Sequence, residues 1–450
     1  MKMIFGVSDK PKFGQLIIFA IQQLLAIMTA TLVVPVIIGN GMSSAAALVG
    51  AGIGTLVYVL FTKKKSPVFL GSSFAFIGSM FAAFAGGVSM ALGYAGIIIG
   101  AVFAGLVYVV IAIIVKLVGV NWINKLMPAA VIGPTVAIIG LSLAGNAIGD
   151  ICKGSVPGVE ASPLATVLCG LVTLIVTIVC STYGKKWGKL IPFIFGILSG
   201  YAFSGILTFI GWKANIPAII ILNAEPFKAL VAEGITLSTF LAVPDFTFVT
   251  AMKGISEITP AYVSTIAVAY IPVAFVVFAE HLADHKNISS IIEKDLLEEP
   301  GLHRTLLGDG IGSIVGALFG GCPNTTYGES VGCVAITKNA SVYTIIAAAV
   351  MSIIIAFISP FIAFVNSIPS CVMGGVCMAL YGFIAVSGLK MVQQVNLNAN
   401  KNLFVVSSIL IAGIGGLTLN FGQVTLTSVA CALILGIIVN LVVAKAPEEE

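Results

Sequence analysis

Long apolar runs follow one another along almost the whole chain and are separated by short polar or basic segments. An α-helix needs about 20 predominantly apolar residues to cross the hydrocarbon core of a bilayer. The pattern therefore predicts an all-α polytopic membrane protein with about fourteen transmembrane spans. The predicted spans are 14–39, 43–62, 67–86, 93–119, 122–148, 160–183, 190–212, 262–285, 306–320, 323–338, 342–365, 369–389, 402–419 and 424–444. Acidic residues and prolines interrupt 214–260, which predicts a long external loop with reentrant or interfacial pieces.

Composition and charge support this class. The chain is 59% hydrophobic and 9% charged, whereas soluble domains carry about 25% charged residues. With the N-terminus inside, the inner segments hold 18 of the 22 Lys and Arg residues, as the positive-inside rule requires. The exceptions are Lys153, Lys213, Lys228 and Lys253. We therefore predict a multi-pass protein of the cytoplasmic (inner) membrane with both termini cytoplasmic, no cleaved signal, and cysteines that act as small packing residues.

Two of the predicted spans open with polar, glycine-rich segments. They are PVFLGSSFAF at 67–76, in the third span, and GGCPNTTYGE at 320–329, in the tenth. Non-helical backbone at membrane depth is tolerated only where it is buried in protein or lines a cavity. Broken spans at corresponding positions indicate two seven-span repeats of inverted topology with a binding site between them. We expect a short extended segment in each, followed by a half-helix with free N–H groups. The alternative is that these glycines and serines only pack helices closely.

Few ionisable residues lie at predicted membrane depth, and each is a candidate functional residue. Glu280 and Asp284 are four residues apart and share one helix face, while His281 and His285 form a second such pair on the adjoining face. The carboxyl groups are candidates for carrying a proton. A metal site at the histidines is a weak alternative, because no further His or Cys cluster supports it. We expect His281 to pack or donate a hydrogen bond and His285 to lie at the cytoplasmic interface.

Three further polar residues have simpler structural interpretations. Asp309 is expected to be a helix N-cap or an interhelical hydrogen-bond partner near the cytoplasmic end of its span. Gln22 and Gln23, in the first apolar run, either join helices or orient the acids of the site.

Several motifs together resemble one transporter family. NTTYGE at 324–329, with Thr337 eight residues further on, is similar to the signature of the nucleobase–ascorbate transporter (nucleobase:cation symporter-2) family, in the form closest to its bacterial uracil permeases. AEH at 279–281 resembles the family's acidic motif, GSSFAF at 71–76 its third-span segment, and 295–304 its following cytoplasmic loop. The resemblance covers essentially the whole chain.

The resemblance implies fourteen spans in two inverted repeats, with short extended segments in spans 3 and 10. It implies a core domain at 1–120 and 262–366, a gate domain at 121–213 and 367–450 that includes a cytoplasmic tail, and an extracellular loop at 214–261. It also implies a homodimer formed through the gate domain. The substrate-binding residues that it implies are Glu280, Glu329, Phe74, Gly328, Tyr327, Ala30 and Ser73.

This chain departs from the family at two positions. The usual Gln-His pair of the first span is Gln22-Gln23, and the second His of the acidic motif is replaced by Asp284, with His285 next. An aspartate there must be protonated or paired with another group to support Glu280 as the histidine does. We assign proton coupling to Glu280, Asp284 and Gln23.

These features favour a proton-coupled symporter that imports uracil by an elevator-type movement, surrounded by membrane lipids and with the proton as its coupling ion. A purine (xanthine or urate) symporter of the same family is the alternative. An anion exchanger or channel of the same architecture is disfavoured, because neither broken segment contains Lys or Arg. We expect no enzymatic activity, cofactor, metal or nucleic-acid partner, since no nucleophile–base set or phosphate loop is visible and Cys322 has no evident general base.

Overall fold

The computed structural model of the chain describes residues 3–185, 187–232, 234–421 and 424–444. The first half contains α1 (Phe13–Ile38), α2 (Ser44–Phe61), β1 (Leu70–Ser72), α3 (Ile77–Ala83), α4 (Met90–Val118), α5 (Asn121–Leu126), α6 (Ala129–Ser142), α7 (Ala144–Ile151), α8 (Pro163–Tyr183), α9 (Trp187–Leu190) and α10 (Pro192–Ala214). The second half contains α11 (Glu225–Val231), α12 (Leu237–Phe240), α13 (Thr247–Lys253), α14 (Pro260–Ile292), α15 (Leu302–Gly320), β2 (Asn324–Thr326), α16 (Gly328–Thr337), α17 (Val342–Ile355), α18 (Ser359–Ser367), α19 (Ser370–Val392), α20 (Asn400–Ile414), β3 (Leu419–Phe421), β4 (Val424–Leu426) and α21 (Ser428–Val443).

The described part of the chain is mainly helical, as the apolar runs predict. Within it, eight helical segments are long and apolar enough to cross a membrane, one of which (Ala129–Ile151) consists of α6 and α7 together, and shorter apolar helices accompany them. This confirms the polytopic all-α class, while the count of fourteen spans stays a prediction. The tail from Lys445 to Glu450 lies outside the described residues, as do Lys2 and Lys186 of the predicted inner segments.

Several predicted spans are wrong in their boundaries. The predicted span 122–148 is divided by Pro128 into α5 and α6, because proline has no N–H to continue the helix. The predicted span 342–365 is likewise two helices, with α18 starting one residue before Pro360. The predicted span 424–444 begins with β4, which pairs antiparallel with β3. Among its described residues, the predicted external loop 214–260 contains three short α-helices, and α13 packs against α4 and α15.

Loops that the charge pattern assigns to the same side of the membrane meet in the structure. On the predicted inner side, Ile4 N–H donates to Lys338 O at 2.8 Å. Lys65 forms an ion pair with Glu299, and its ammonium hydrogen bond lowers the pKa of that exposed carboxyl. On the predicted outer side, Ser89 Oγ donates to Glu257 Oε1 at 2.9 Å. The sequence-based topology is consistent with these pairs.

The helices pack in two groups. In the first, α2 and α4 pack against α15, α14 packs against α4, and α17 packs against α1 and α2. In the second, α19 packs against α6 and α8, α10 against α8, and α20 against α6 and α21. The groups correspond to the segments assigned to core and gate, although the division into two domains that move separately stays a prediction.

The two broken spans meet inside the first group. Strands β1 and β2 pair antiparallel, with Gly71 opposite Thr325. The pairing continues at both ends, because Ser73 N–H donates to Pro323 O at 2.9 Å and Tyr327 N–H donates to Phe69 O at 3.2 Å. Thr55 Oγ1 on α2 accepts from Leu70 N–H at 2.9 Å, so this N–H on the outer edge of β1 also has a hydrogen-bond partner. Buried non-helical backbone is thus paired, as a membrane interior requires.

Glycine allows α2 and α15 to approach this ribbon closely. The Asn324 side chain lies between the two helices and donates from Nδ2 to Gly50 O at 3.0 Å. A Cβ on Gly54 or Gly316 would collide with that side chain. The close helix contact therefore depends on residues without side chains.

Candidate binding site

A cavity of about 300 Å³ lies between the two helix groups. The first group contributes α1, the ends of β1 and β2, α14 and α16, and the second contributes α6, α8, α9, α10 and α19. The volume is at the lower end of the range for small-molecule sites. Its walls are mostly apolar, with a few polar groups clustered where the broken spans meet.

Three carboxyl groups face this cavity. Glu280 and Asp284 lie one turn apart on α14, and Glu329 lies in the first turn of α16. Thr326 on β2 donates its hydroxyl hydrogen to Asp284 Oδ2 at 2.9 Å, whereas Glu280 Oε2 is buried with no partner among the described residues. The two acids of the predicted helix-face pair therefore line the same cavity, and Glu280 presents a buried acceptor that is available to a ligand.

Backbone donors complement these acceptors at the first turn of α16. The first N–H groups of an α-helix have no partner within the helix. Tyr327 N–H pairs with β1, but Gly328 N–H donates no hydrogen bond to any described residue, and Gly328 lies exposed at the cavity wall. Phe74 N–H, just after β1, is also unpaired among the described residues. The helix N-terminus therefore offers donors to a carbonyl or other acceptor.

Two aromatic residues, Tyr327 and Phe74, line the cavity and are fixed in position by their own contacts. Tyr327 donates its hydroxyl hydrogen to Ser72 O at 2.8 Å, which fixes its ring against β1. Phe74 contacts Tyr381 of α19 edge to face, with ring centroids 5.7 Å apart. This contact joins the two helix groups directly beside the cavity.

Gln23 supports α16 from α1. Its Nε2 donates to Ser330 Oγ at 2.5 Å, and the same hydroxyl oxygen accepts from Phe69 N–H at 3.0 Å. Gln23 therefore joins helices, at the residue that follows Glu329, while an orienting role toward the acids stays a prediction. Gln22 Oε1 is buried without a partner in the described part of the chain.

The structure corrects two placements behind the cavity. Asp309 is not an N-cap, because α15 starts at Leu302 and Asp309 is fully buried in its second turn, where its Oδ2 lies 2.6 Å from His281 Nδ1. Asp309 is instead an interhelical hydrogen-bond partner, which was the alternative expectation. His285 is not at an interface: it is buried, stacks on His281 at 4.0 Å, and has its Nε2 2.8 Å from the hydroxyl of Tyr58 on α2.

Two predicted residues lie off the cavity wall. Ala30 is fully buried one turn beyond Ala26, which lines the cavity together with Leu25. Ser73 is buried, its hydroxyl has no partner among the residues that the structure describes, and its N–H is already used in the pairing with Pro323. A binding role for Ala30 and Ser73 stays a prediction that this conformation does not support by contact.

Sequence reasoning missed several residues at the site. Thr325, Thr326 and Ser330 lie within or beside the NTTYGE motif, so the motif itself was a signal for them. Lys189 and Asn287 line the cavity mouth. No signal in the sequence marks them, because a polar residue in a loop or at a helix end is ordinarily solvated. Among the described residues, no group of three or more His, Cys, Asp or Glu side chains could hold a metal ion.

Comparison with known proteins decides the family. A family model described as the permease family matches residues 14–422. The chain belongs to the permease family. The uracil permease of Bacillus subtilis (strain 168) is 36% identical over 100% of this chain and 97% of its own length. The uracil permease of Escherichia coli (strain K12) is 35% identical over 99% of this chain and 96% of its own length. The motif resemblance is confirmed, and this permease is a transporter and not an enzyme.

Solved structures share the fold at low sequence identity. The transmembrane domain of the cyanobacterial bicarbonate transporter BicA has a TM-score of 0.62 at 15% identity and covers 97% of this chain and 100% of its own. The murine anion transporter Slc26a9, in the inward-facing state, has a TM-score of 0.66 at 9% identity and covers 97% of this chain and 69% of its own. The similarity confirms the predicted fold class for this permease.

Proposed function

We propose that this permease is a proton-coupled symporter that imports uracil across the cytoplasmic membrane. The observation that carries the proposal is the polar set of the cavity, in which Glu280 and Glu329 line the same wall region as Gly328 and Phe74, whose N–H groups are unpaired among the described residues. Uracil has two N–H donors and two carbonyl acceptors, so two carboxyl groups and two amides can satisfy it. The uracil permeases that are similar over the whole chain support the same substrate.

Each polar group has one role in this proposal. Glu280 Oε2, which lacks a protein partner, accepts from one ring N–H, and the Glu329 carboxyl accepts from the other. Gly328 N–H donates to a ring carbonyl at the start of α16, and Phe74 N–H donates to the second. Tyr327 and the Phe74 ring confine the base. A ligand without matching N–H groups leaves buried acceptors unpaired, which is costly.

Coupling is assigned to the carboxyl groups of α14. A neutral base brings no opposite charge, so closing the site away from water is costly while the carboxyl groups beside the base stay ionised, and binding of a proton lowers that cost. Glu280 is the leading candidate for the coupling proton, with Asp284 beside it and Gln23 supporting the neighbouring helix start.

The cavity supports alternating access. Lys189 and Asn287 line its mouth, and both belong to segments that the charge pattern assigns to the cytoplasmic side. We infer that the structure represents an inward-facing state. Movement of the first helix group against the second, as in an elevator, would expose the same residues to the outside. Cytoplasmic termini and a homodimer through the second group belong to the same proposal.

Purified wild-type protein in proteoliposomes with an imposed proton gradient tests the proposal. We expect accumulation of labelled uracil, collapse of that accumulation by a protonophore, and little competition from xanthine. Efficient competition by xanthine or urate, with weak uracil uptake, would instead identify the purine symporter of the same family.

Glu280→Gln and Glu329→Gln test the assigned residues. Each change keeps the side-chain size but replaces one acceptor oxygen with an NH₂ donor and removes the titrating group. We expect both variants to lose concentrative uptake. Near-normal uptake by both, at wild-type expression and folding, contradicts the assignment.

A further inference from the structure

Behind the cavity, α14 and α15 hold an acid–imidazole pair that substrate recognition does not use. His281 Nδ1 and Asp309 Oδ2 are 2.6 Å apart, and neither side chain is exposed to solvent. Buried ionisable groups at membrane depth are rare and functional by default. The contacts around the pair determine where its hydrogens lie.

The distance between His281 Nδ1 and Asp309 Oδ2 shows that the pair holds a proton. Two bare acceptors would not lie 2.6 Å apart, so one proton lies between these atoms, on the imidazole or on the carboxyl group. The other ring nitrogen, Nε2, lies 3.0 Å from Thr305 Oγ1. The Thr305 hydroxyl accepts there from an Nε2–H while donating to Leu302 O at 3.0 Å, or it donates to a bare Nε2. In both arrangements the proton between Nδ1 and Oδ2 remains.

The surroundings limit how that charge is distributed. His285 donates from Nδ1 to His281 O at 2.8 Å, and its ring stacks on that of His281 at 4.0 Å. Two imidazolium rings this close repel strongly, so they are not both charged. Tyr58 of α2 contacts His285, Tyr108 of α4 packs edge-on against His281, and Glu280 and Asp284 are the acids of the same helix. The described part of the chain places no Lys or Arg in an ion pair with Asp309.

Thr325 connects the pair to the cavity. This residue lines the cavity wall on β2, and its hydroxyl lies 3.5 Å from Asp309 Oδ2. That distance is longer than an ordinary O–H···O hydrogen bond, so the contact is loose in this conformation. The neighbouring Thr326 holds Asp284. A displacement of β2 when a ligand binds at the start of α16 would therefore change the Thr325–Asp309 contact.

We propose that the His281–Asp309 pair is a second proton-binding site of this permease, which exchanges its proton with the cavity through the Thr325 hydroxyl group. The exchange balances: Thr325 Oγ1 accepts a proton from a hydronium ion in the cavity, which leaves as water, and passes its own hydroxyl hydrogen to Asp309; the reverse sequence returns the proton to the cavity. The inference rests on proton-coupled transport as the function, and it adds to Glu280 a group that does not touch the substrate.

Asp309→Asn tests the pair, because the amide keeps the shape but cannot release a proton. The ratio of protons to uracil is measured in proteoliposomes from the proton gradient at which net uracil flux is zero. We expect the variant to carry one proton fewer per uracil than wild type and to retain uracil counterflow. An unchanged ratio and pH profile overturn the inference. Absence of proton-driven uptake in wild type would instead refute the proposed function.

Thr325→Val gives a second test if Asp309→Asn fails to fold. The substitution keeps the side-chain shape and removes the relay, so proton-driven uptake should fall more than counterflow, by roughly tenfold. Thr177→Val is the matched control, since Thr177 is also buried and donates to a helix carbonyl, Thr173 O, at 2.8 Å. Equal ratios of driven uptake to counterflow in the two variants contradict the relay.

Discussion

Ser330→Ala removes the hydroxyl oxygen on which three elements converge at the start of α16. That oxygen accepts from Gln23 Nε2 of α1 and from the N–H of Phe69 before β1. An unsatisfied buried donor costs about 1–3 kcal/mol. The Gln23 side chain can rotate to another partner, but the Phe69 N–H is fixed by the ribbon. We therefore expect a loss of about 1–3 kcal/mol if Gln23 adapts and about 2–6 kcal/mol if it does not.

The assay compares thermal unfolding of the purified variants with and without uracil, together with the KM for uptake. Ser352→Ala is the matched control: Ser352 is equally buried, on α17, but only donates to Leu48 O at 2.8 Å, so its loss strands no donor. Ser330→Ala should unfold at a lower temperature than Ser352→Ala and should raise KM, because Glu329 precedes Ser330. Equal unfolding temperatures and KM values for the two variants would refute the reasoning.

Two further predictions concern the same region. Gly71→Ala places a Cβ against the Tyr327 ring, and the hydrogen bond of Tyr327 to Ser72 O prevents that ring from moving away. Overpacking of this kind costs about 1–3 kcal/mol, so we expect reduced uptake and a lower unfolding temperature. Gly145→Ala, in open space on α7, is the control and should behave as wild type. Thr326→Val removes the hydrogen bond to the Asp284 carboxyl, and such a bond contributes about 1.5–3 kcal/mol when the acceptor is charged. We expect weaker uracil binding by calorimetry, and an unchanged affinity would show that Asp284 does not depend on Thr326.

The sequence was most predictive where it departed from the membrane pattern. Glycine, proline and hydroxyl residues at 67–76 and 320–329 have no reason to interrupt lipid-facing helices, so they predicted the β1–β2 ribbon and the half-helix that follows β2. The rarity of acids at predicted membrane depth singled out Glu280 and Glu329, and the family resemblance joined them in one site; both line the cavity. Pro128 and Pro360 were equally visible signals of helix breaks, but the apolar runs around them concealed the interruptions.

Long-range partners could not be predicted in the same way. His285 follows the pattern of a helix end beside Lys286, and only the fold brings Tyr58, 227 residues away in sequence, to its ring. For Asp309, the sequence left a helix N-cap and an interhelical partner as alternatives, and only the structure shows that α15 begins seven residues earlier and buries Asp309 against His281. Local sequence gives the cost of burying such groups, and the tertiary structure supplies the partners that offset it.

The central claim is that uracil binds between Glu280, Glu329 and the start of α16. A cryo-EM structure of this permease with saturating uracil tests that claim most directly. The account predicts planar density in the cavity, with ring N–H groups facing the two carboxyl groups and a ring carbonyl facing Gly328 N–H. An empty cavity at saturating uracil, or uracil bound elsewhere in the protein, would contradict it.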